Sequence, residues 1–218
     1  MNIQCSESSN SSASFDRALV FAQAAYRLIG PDLEELPEVV PLSRAVYLNY
    51  VIALYRLDFW SLAYHSTAKY TAALELCRTF YSKKFCNKDF EMQFIAHECR
   101  ILIYMGQNLE SIARGLEALS LLGLQLPSFL KDPSLVGIYE TELMNKIKAK
   151  TEGIGILEFF KRLPILTDDF IVAAHSIIIE LTAPLAYSAP HLFHSMSLLG
   201  LSLTLEHGKS MHAAFHVR

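Results

Sequence analysis

Residues 167–181 read Thr-Asp-Asp-Phe-Ile-Val-Ala-Ala-His-Ser-Ile-Ile-Ile-Glu-Leu. The stretch opens on a helix start. Thr167-Asp168-Asp169 offers capping oxygens to the free amides of a first turn, and two carboxylates complement the positive end of the helix macrodipole. The run that follows, Phe170 to Leu181, is apolar nearly all round, with Glu180 its only formal charge. A helix of that kind is expected to lie sandwiched between other layers. Working outward from it, helical periodicity dominates and no stretch shows convincing strand alternation, so the chain reads as all-α.

Towards the amino terminus, residues 15–29 carry Phe15, Leu19, Ala22, Tyr26 and Ile29 at helical spacing, and Gly30-Pro31 stops that helix. An acidic, proline-containing loop is expected through Pro41. Further helices are predicted over about 42–57, 58–82 and 89–105, the last with Phe94, Ile95, Cys99, Leu102 and Met105 on one face. Gly106 punctuates the turn and Asn108 is the expected cap of the next helix, whose buried stripe reads Leu109, Ile112, Ala113, Leu116 and Leu119. It stops near Gly123. Leu126-Pro127 leads into a loop, and Asp132-Pro133 restarts a helix with Leu135, Ile138, Tyr139, Leu143 and Ile147 facing inward.

Towards the carboxyl terminus, helices are expected from Pro190 to Glu206 and from Lys209 onward. Arg218 falls inside the amphipathic pattern of Met211, Ala214 and Phe215, so the expectation is a helical array truncated at its C-terminal end. Tyr55-Arg56-Leu57-Asp58 and Tyr104-Met105-Gly106-Gln107 stand in corresponding places before two helices. The reading is therefore a tetratricopeptide-like but irregular array of about eight or nine helices; the regular period and its Trp-Leu-Gly-Tyr signature are not kept. Its expected organisation is a disordered tail over 1–14 and a helical-repeat domain over 15–218. Within that domain, 15–106 holds the first helical pairs and 107–218 the second half.

The 218 residues are 52% hydrophobic and 19% charged, with a formal net charge of −3. Mean hydropathy of +0.26 excludes a disordered, solvating chain. The charge balance gives no electrostatic footprint for nucleic acid or an anionic lipid surface. Met1 to Ser14 is polar and serine-rich, with neither the basic nor the apolar region of a secretory leader. Cys5, Cys77, Cys86 and Cys99 form no CxxC pair and read as reduced thiols of a cytoplasmic protein. Leu181 to Leu205 lacks formal charge and is long enough to span a bilayer, but Pro184 and Pro190 interrupt it and His191 and His194 lie within it. Two shorter helices broken near Pro190 explain it better.

No motif assembles a catalytic set. Gly208-Lys209-Ser210 resembles the end of a phosphate-binding loop, but Leu203 stands where that loop needs glycine, and a helix rather than a strand precedes it. Gly208 reads instead as a helix C-terminal cap. His97-Glu98-Cys99-Arg100-Ile101 begins like a zinc helix and lacks the second histidine. Cys86, His97 and Cys99 together match no common finger spacing. His191/His194 and His212/His216 share helix faces without carboxylate or thiolate neighbours in sequence, so hydrogen-bonded structural histidines are expected. Lys83/Lys84/Lys88 and Lys146/Lys148/Lys150 sit near predicted helix ends and read as solvated cations that complement the macrodipole. Hence no catalytic, cofactor-binding or metal-binding residue is assigned, no cofactor is expected, and the chain reads as not an enzyme.

The second half carries a resemblance. Gly115-Leu116-Glu117-Ala118-Leu119-Ser120-Leu121-Leu122-Gly123-Leu124-Gln125-Leu126-Pro127 resembles a recurrent element of large hybrid sensor histidine kinases, fungal and bacterial, that place protein-kinase-like and AAA-type ATPase regions before a GAF sensor. Glu158-Phe159-Phe160-Lys161-Arg162-Leu163-Pro164 with Thr167-Asp168 is similar to a linker of that family. Ala186-Tyr187 with Pro190-His191-Leu192-Phe193 resembles its proline-initiated helix. Glu206-His207-Gly208-Lys209-Ser210 with Ala213-Ala214-Phe215 is similar to its His-Gly-x-Ser turn. The family's phosphoacceptor box departs here, since His175 stands five residues before Glu180-Leu181-Thr182-Ala183-Pro184 instead of directly before it. The resemblance implies a non-catalytic, cytoplasmic scaffolding segment of a two-component phosphorelay kinase, coupling ATPase and kinase-like modules to GAF and histidine-kinase modules. Its expected partners are proteins, not nucleic acid or a membrane, with self-association through exposed apolar terminal helices. A free-standing tetratricopeptide-like adaptor is the alternative, and a small helical membrane protein a third class.

Overall fold

The computed structural model describes residues 4, 5, 7, 14–33, 38–60, 67–81, 83, 88–124 and 134–210. The described residues form an all-α protein of nine helices: α1 (Phe15–Leu33), α2 (Val40–Trp60), α3 (Thr67–Tyr81), α4 (Lys88–Tyr104), α5 (Asn108–Leu121), α6 (Ser134–Thr151), α7 (Ile156–Arg162), α8 (Asp169–Ser188) and α9 (Pro190–His207). They divide into two compact units, Met1–Gly106 and Gln107–Arg218.

In the first unit α2 packs against α1, α3 and α4, and α3 also packs on α4. Gly30 has a positive φ of 60° and breaks the regular helix of α1 where the Gly30-Pro31 pair predicts a stop. Pro41, expected in a loop, lies in the first turn of α2, where amides lack intrahelical acceptors and a missing N–H costs nothing. Residues 58–60 continue α2 and do not open the next helix; α3 begins at Thr67, and 61–66 lie outside the described residues. The core is aromatic. Phe80 on α3 stacks on Phe94 of α4 with ring centroids 3.9 Å apart and packs against Tyr47 of α2 at 5.6 Å. Ala18 and Ala22 of α1 form a small buried cluster with Ala53 of α2, with Leu19 and Tyr50 packed against it. In the expected disordered tail, Gln4, Cys5 and Glu7 are helical, and Glu7 accepts a hydrogen bond from Asn49 Nδ2 at 3.3 Å.

In the second unit α9 packs against α6 and α8, and α8 also packs on α5. Asn108 is not the cap of α5. Gln107 occupies that place, its carbonyl accepting from Ser111 N–H at 3.0 Å, and Asn108 is already helical. The buried face of α5 is Ser111, Ile112, Gly115, Ala118 and Leu119, while Leu109 is 70% exposed and Ala113 is exposed too. The face is turned because Gly115 admits Leu181: a Cβ built at Gly115 would lie 2.7 Å from the leucine methyls. At the end of α5, Gly123 has φ +80° and donates to Ser120, and Leu124 donates to Leu119 at 3.1 Å, the paired bonds of a glycine-terminated helix. The Asp132-Pro133 start lies outside the described residues. α6 buries Val136, Leu143, Ile147 and Thr151, whereas Ile138 is 60% exposed.

Asp168 caps α8 as expected, accepting from Phe170 N–H at 3.0 Å and Ile171 N–H at 3.3 Å. Asp168→Ala is expected to lower stability by about 1 kcal/mol, measurable as a shift in the urea midpoint. α8 is not enclosed all round: Phe170 is 44% exposed, and Ala173, Ala174, Ile177, Ile178 and Leu181 form its buried face. The enclosed run lies instead in α9, where 198–205 is buried without interruption. Pro184 does not interrupt α8. The helix continues to Ser188 because Pro184 packs inside with Leu181 and Leu185, and that burial outweighs the lost backbone bond. The break falls at Ala189 (φ −149°, ψ 60°), with Pro190 in the first turn of α9. The charge-free 181–205 run is thereby divided between two helices. By length and composition α8 is one helix that could cross a membrane.

Candidate functional site

Two of the strings singled out by the sequence meet in the second unit, where the 206–210 turn lies against the segment between α7 and α8. Lys209 is not helical, contrary to expectation, and 211–218 lie outside the described residues. Lys209 forms a parallel bridge with Ile165: its N–H donates to the Pro164 carbonyl at 2.7 Å, and its carbonyl accepts from Leu166 N–H at 2.9 Å. Gly208 makes this close approach possible. Its φ is +116°, and a Cβ there would stand 2.7 Å from the Pro164 carbonyl oxygen. The Lys209 ammonium donates to the Lys161 carbonyl at 3.1 Å and lies 5.9 Å from the Phe160 ring centroid. Ser210 Oγ and His175 Nδ1 share a hydrogen bond of 2.6 Å, tying the turn to the buried face of α8. Lys150 of α6 donates to the Leu205 carbonyl at 3.5 Å, placing a cation at the negative end of α9.

This clasp explains Gly208-Lys209-Ser210 without a nucleotide. A phosphate loop turns consecutive N–H groups towards its ligand, whereas here the Lys209 amide is spent on Pro164 and the lysine amine on Lys161. The Ser210–His175 contact has the composition of a nucleophile–base pair, and its imidazole is wholly buried. The sequence carried no signal for this pair, because the partners are separated by most of α8 and all of α9. Nor did it reveal Ser195, buried on α9, which donates to Glu140 of α6 at 2.8 Å.

The zinc-like segment lies on α4 in the first unit. Cys99 and Glu98 are buried, and Glu98 accepts from the Tyr81 hydroxyl at 2.8 Å. Cys86 lies outside the described residues. Burial together with the positive charges of Arg100 and Arg56 holds the His97 pKa down at about 3. The same cations would oppose a metal dication. Among the described residues, no group of three or more His, Cys, Asp or Glu side chains is placed to hold a metal ion. His191 and His194 are exposed on α9, and His212 and His216 are not described.

His97 gives a pH dependence with a definite sign. Its ordinary value is 6.5 and its folded value about 3, so between these the unfolded chain binds more protons and stability falls as pH falls. Each pH unit below 6.5 costs up to about 1.4 kcal/mol from this group. Urea titrations at pH 7.5 and 5.5 should show the native protein losing about 1.4 kcal/mol more than His97→Gln over that interval. An equal loss in both would assign the dependence to other groups.

Comparison of the chain with protein-family models, with curated proteins and with solved structures gives no match.

Proposed function

We propose that this chain is a non-catalytic, cytoplasmic connector of a two-component sensor histidine kinase, coupling ATPase and kinase-like modules to GAF and histidine-kinase modules. The observation that carries the reading is the resemblance of four ordered segments in the second half. Geometry adds support at one point: two of those segments, 158–168 and 206–210, are the two sides of a single clasp. The two segments are joined by main-chain bonds into one structural unit, the arrangement expected if both belong to a single connector element.

A connector acts through surface contacts. Around the clasp, Ile165 is 80% and Leu157 66% exposed, and α7 buries no residue. Exposed apolar residues of this kind suit contact with neighbouring modules or a second copy. They equally suit the alternative, a separate adaptor that binds a protein partner. The two readings differ in the size of the natural product. An antiserum raised against the second unit should detect a polypeptide several times larger than 24.5 kDa in source cells. A sole product near 24.5 kDa would overturn the connector reading and leave the adaptor.

A further inference from the structure

Residues 161–169 read Lys-Arg-Leu-Pro-Ile-Leu-Thr-Asp-Asp, a string whose charges are opposite in sign at equal distances on either side of Ile165. We propose that this segment pairs with the same segment of a second copy of the chain, antiparallel and centred on Ile165, so that the clasp is the seat of a symmetric dimer. The pairing chemistry is local and independent of the connector reading. Leu163 (φ −63°, ψ 141°) and Asp168 (φ −80°, ψ 111°) bound an extended stretch. Within it, the Pro164 carbonyl and the Leu166 N–H are both turned to Lys209. Successive residues of an extended chain direct their polar groups to alternate edges, so the Ile165 N–H and C=O face the opposite way. Among the described residues nothing bonds to either group, and Ile165 is 80% exposed. Pro164 leaves that edge intact, because its missing N–H falls on the Lys209 side. Such an edge is a template for one more strand.

Charge selects the second copy as that strand. In antiparallel pairing about Ile165, the two Ile165 residues exchange both main-chain bonds and their side chains meet on one face of the ribbon. Arg162 then stands opposite Asp168 of the second copy and Lys161 opposite its Asp169, and symmetry makes each pair twice. The groups are accessible for this. Lys161 and Arg162 are exposed and share Glu158 at 3.4 Å each, an arrangement of little strength in solvent. Asp168 caps α8 through Oδ1, and Asp169 is exposed. Parallel pairing in register would set lysine against lysine, so the charges specify the orientation as well.

Sedimentation equilibrium of the full chain at low salt should show a monomer–dimer equilibrium with a Kd of about 100 µM or tighter, the range of a small interface. Ile165→Lys opposes two ammonium groups at the symmetry axis and should weaken the dimer by about ten-fold or more. The replaced side chain is exposed, so the fold should persist, which far-UV circular dichroism checks. Lys161→Glu and Asp169→Lys each set like charges against one another in both symmetric pairs, and each should weaken dimerisation by about five-fold or more. Mixed one to one, these two variants restore opposite charges in both pairs, so the mixture should associate within about two-fold of the native chain. That rescue distinguishes this register from any other apolar contact. A native chain still monomeric at about 500 µM would overturn the proposal and leave the edge to an extended peptide of another protein. Native-like dimerisation of Ile165→Lys, or a mixture that associates no better than its components, would overturn it equally.

Discussion

Gly208→Val is expected to lower the stability of the second unit by roughly 3 kcal/mol or more. Two costs combine. At φ +116° and ψ 179° the backbone of residue 208 lies in a region that β-branched residues scarcely enter. In addition, a Cβ would stand 2.7 Å from the Pro164 carbonyl oxygen, a backbone atom that cannot rotate away as a side chain would. The clasp must open to admit it. Opening removes the two bridge bonds between Lys209 and the 164–166 segment and draws Ser210 from His175. Hydrogen exchange gives a local readout: the Leu166 and Lys209 amides, protected in the native protein, should exchange at least ten-fold faster in the variant. A valine variant within 0.5 kcal/mol of native, with both amides still protected, would contradict the clasp geometry.

Phe80→Ala is expected to cost about 3–5 kcal/mol in the first unit. The ring is wholly buried, stacked on Phe94 at 3.9 Å and 12°, and tilted against Tyr47 at 5.6 Å. Its removal leaves a void between α2, α3 and α4 that these aromatic neighbours can only partly refill. Phe80→Leu keeps most of the volume and should cost less than half as much. Urea denaturation measures the loss, and near-ultraviolet circular dichroism should report the changed surroundings of Tyr47. Equal stability of the alanine and native proteins would mean that the aromatic cluster does not hold these helices together.

The parts of this fold that the sequence made legible are those fixed by local chemistry. Gly30-Pro31, Gly123 and Pro190 mark helix breaks through dihedral limits that act within a residue or two, and Asp168 caps through its own carboxylate. Features set by distant contact were misjudged. The buried face of α5 follows from Leu181 lying against Gly115; the small residues Ser111, Gly115 and Ala118, spaced by four and three, were the available signal for that close approach. Lys209 continues a helical pattern in sequence, yet Pro164 and Leu166 capture its backbone. The clasp was legible as two notable strings and illegible as one site, because its halves meet only after α8 and α9 have packed.

The connector reading is tested most directly by sequencing the transcript on both sides of this coding region. The account predicts one continuous frame, with protein-kinase-like and ATPase modules before these residues and GAF and histidine-kinase modules after them. A transcript whose frame encodes none of those modules would contradict it, and the clasp would then belong to a helical protein with another purpose.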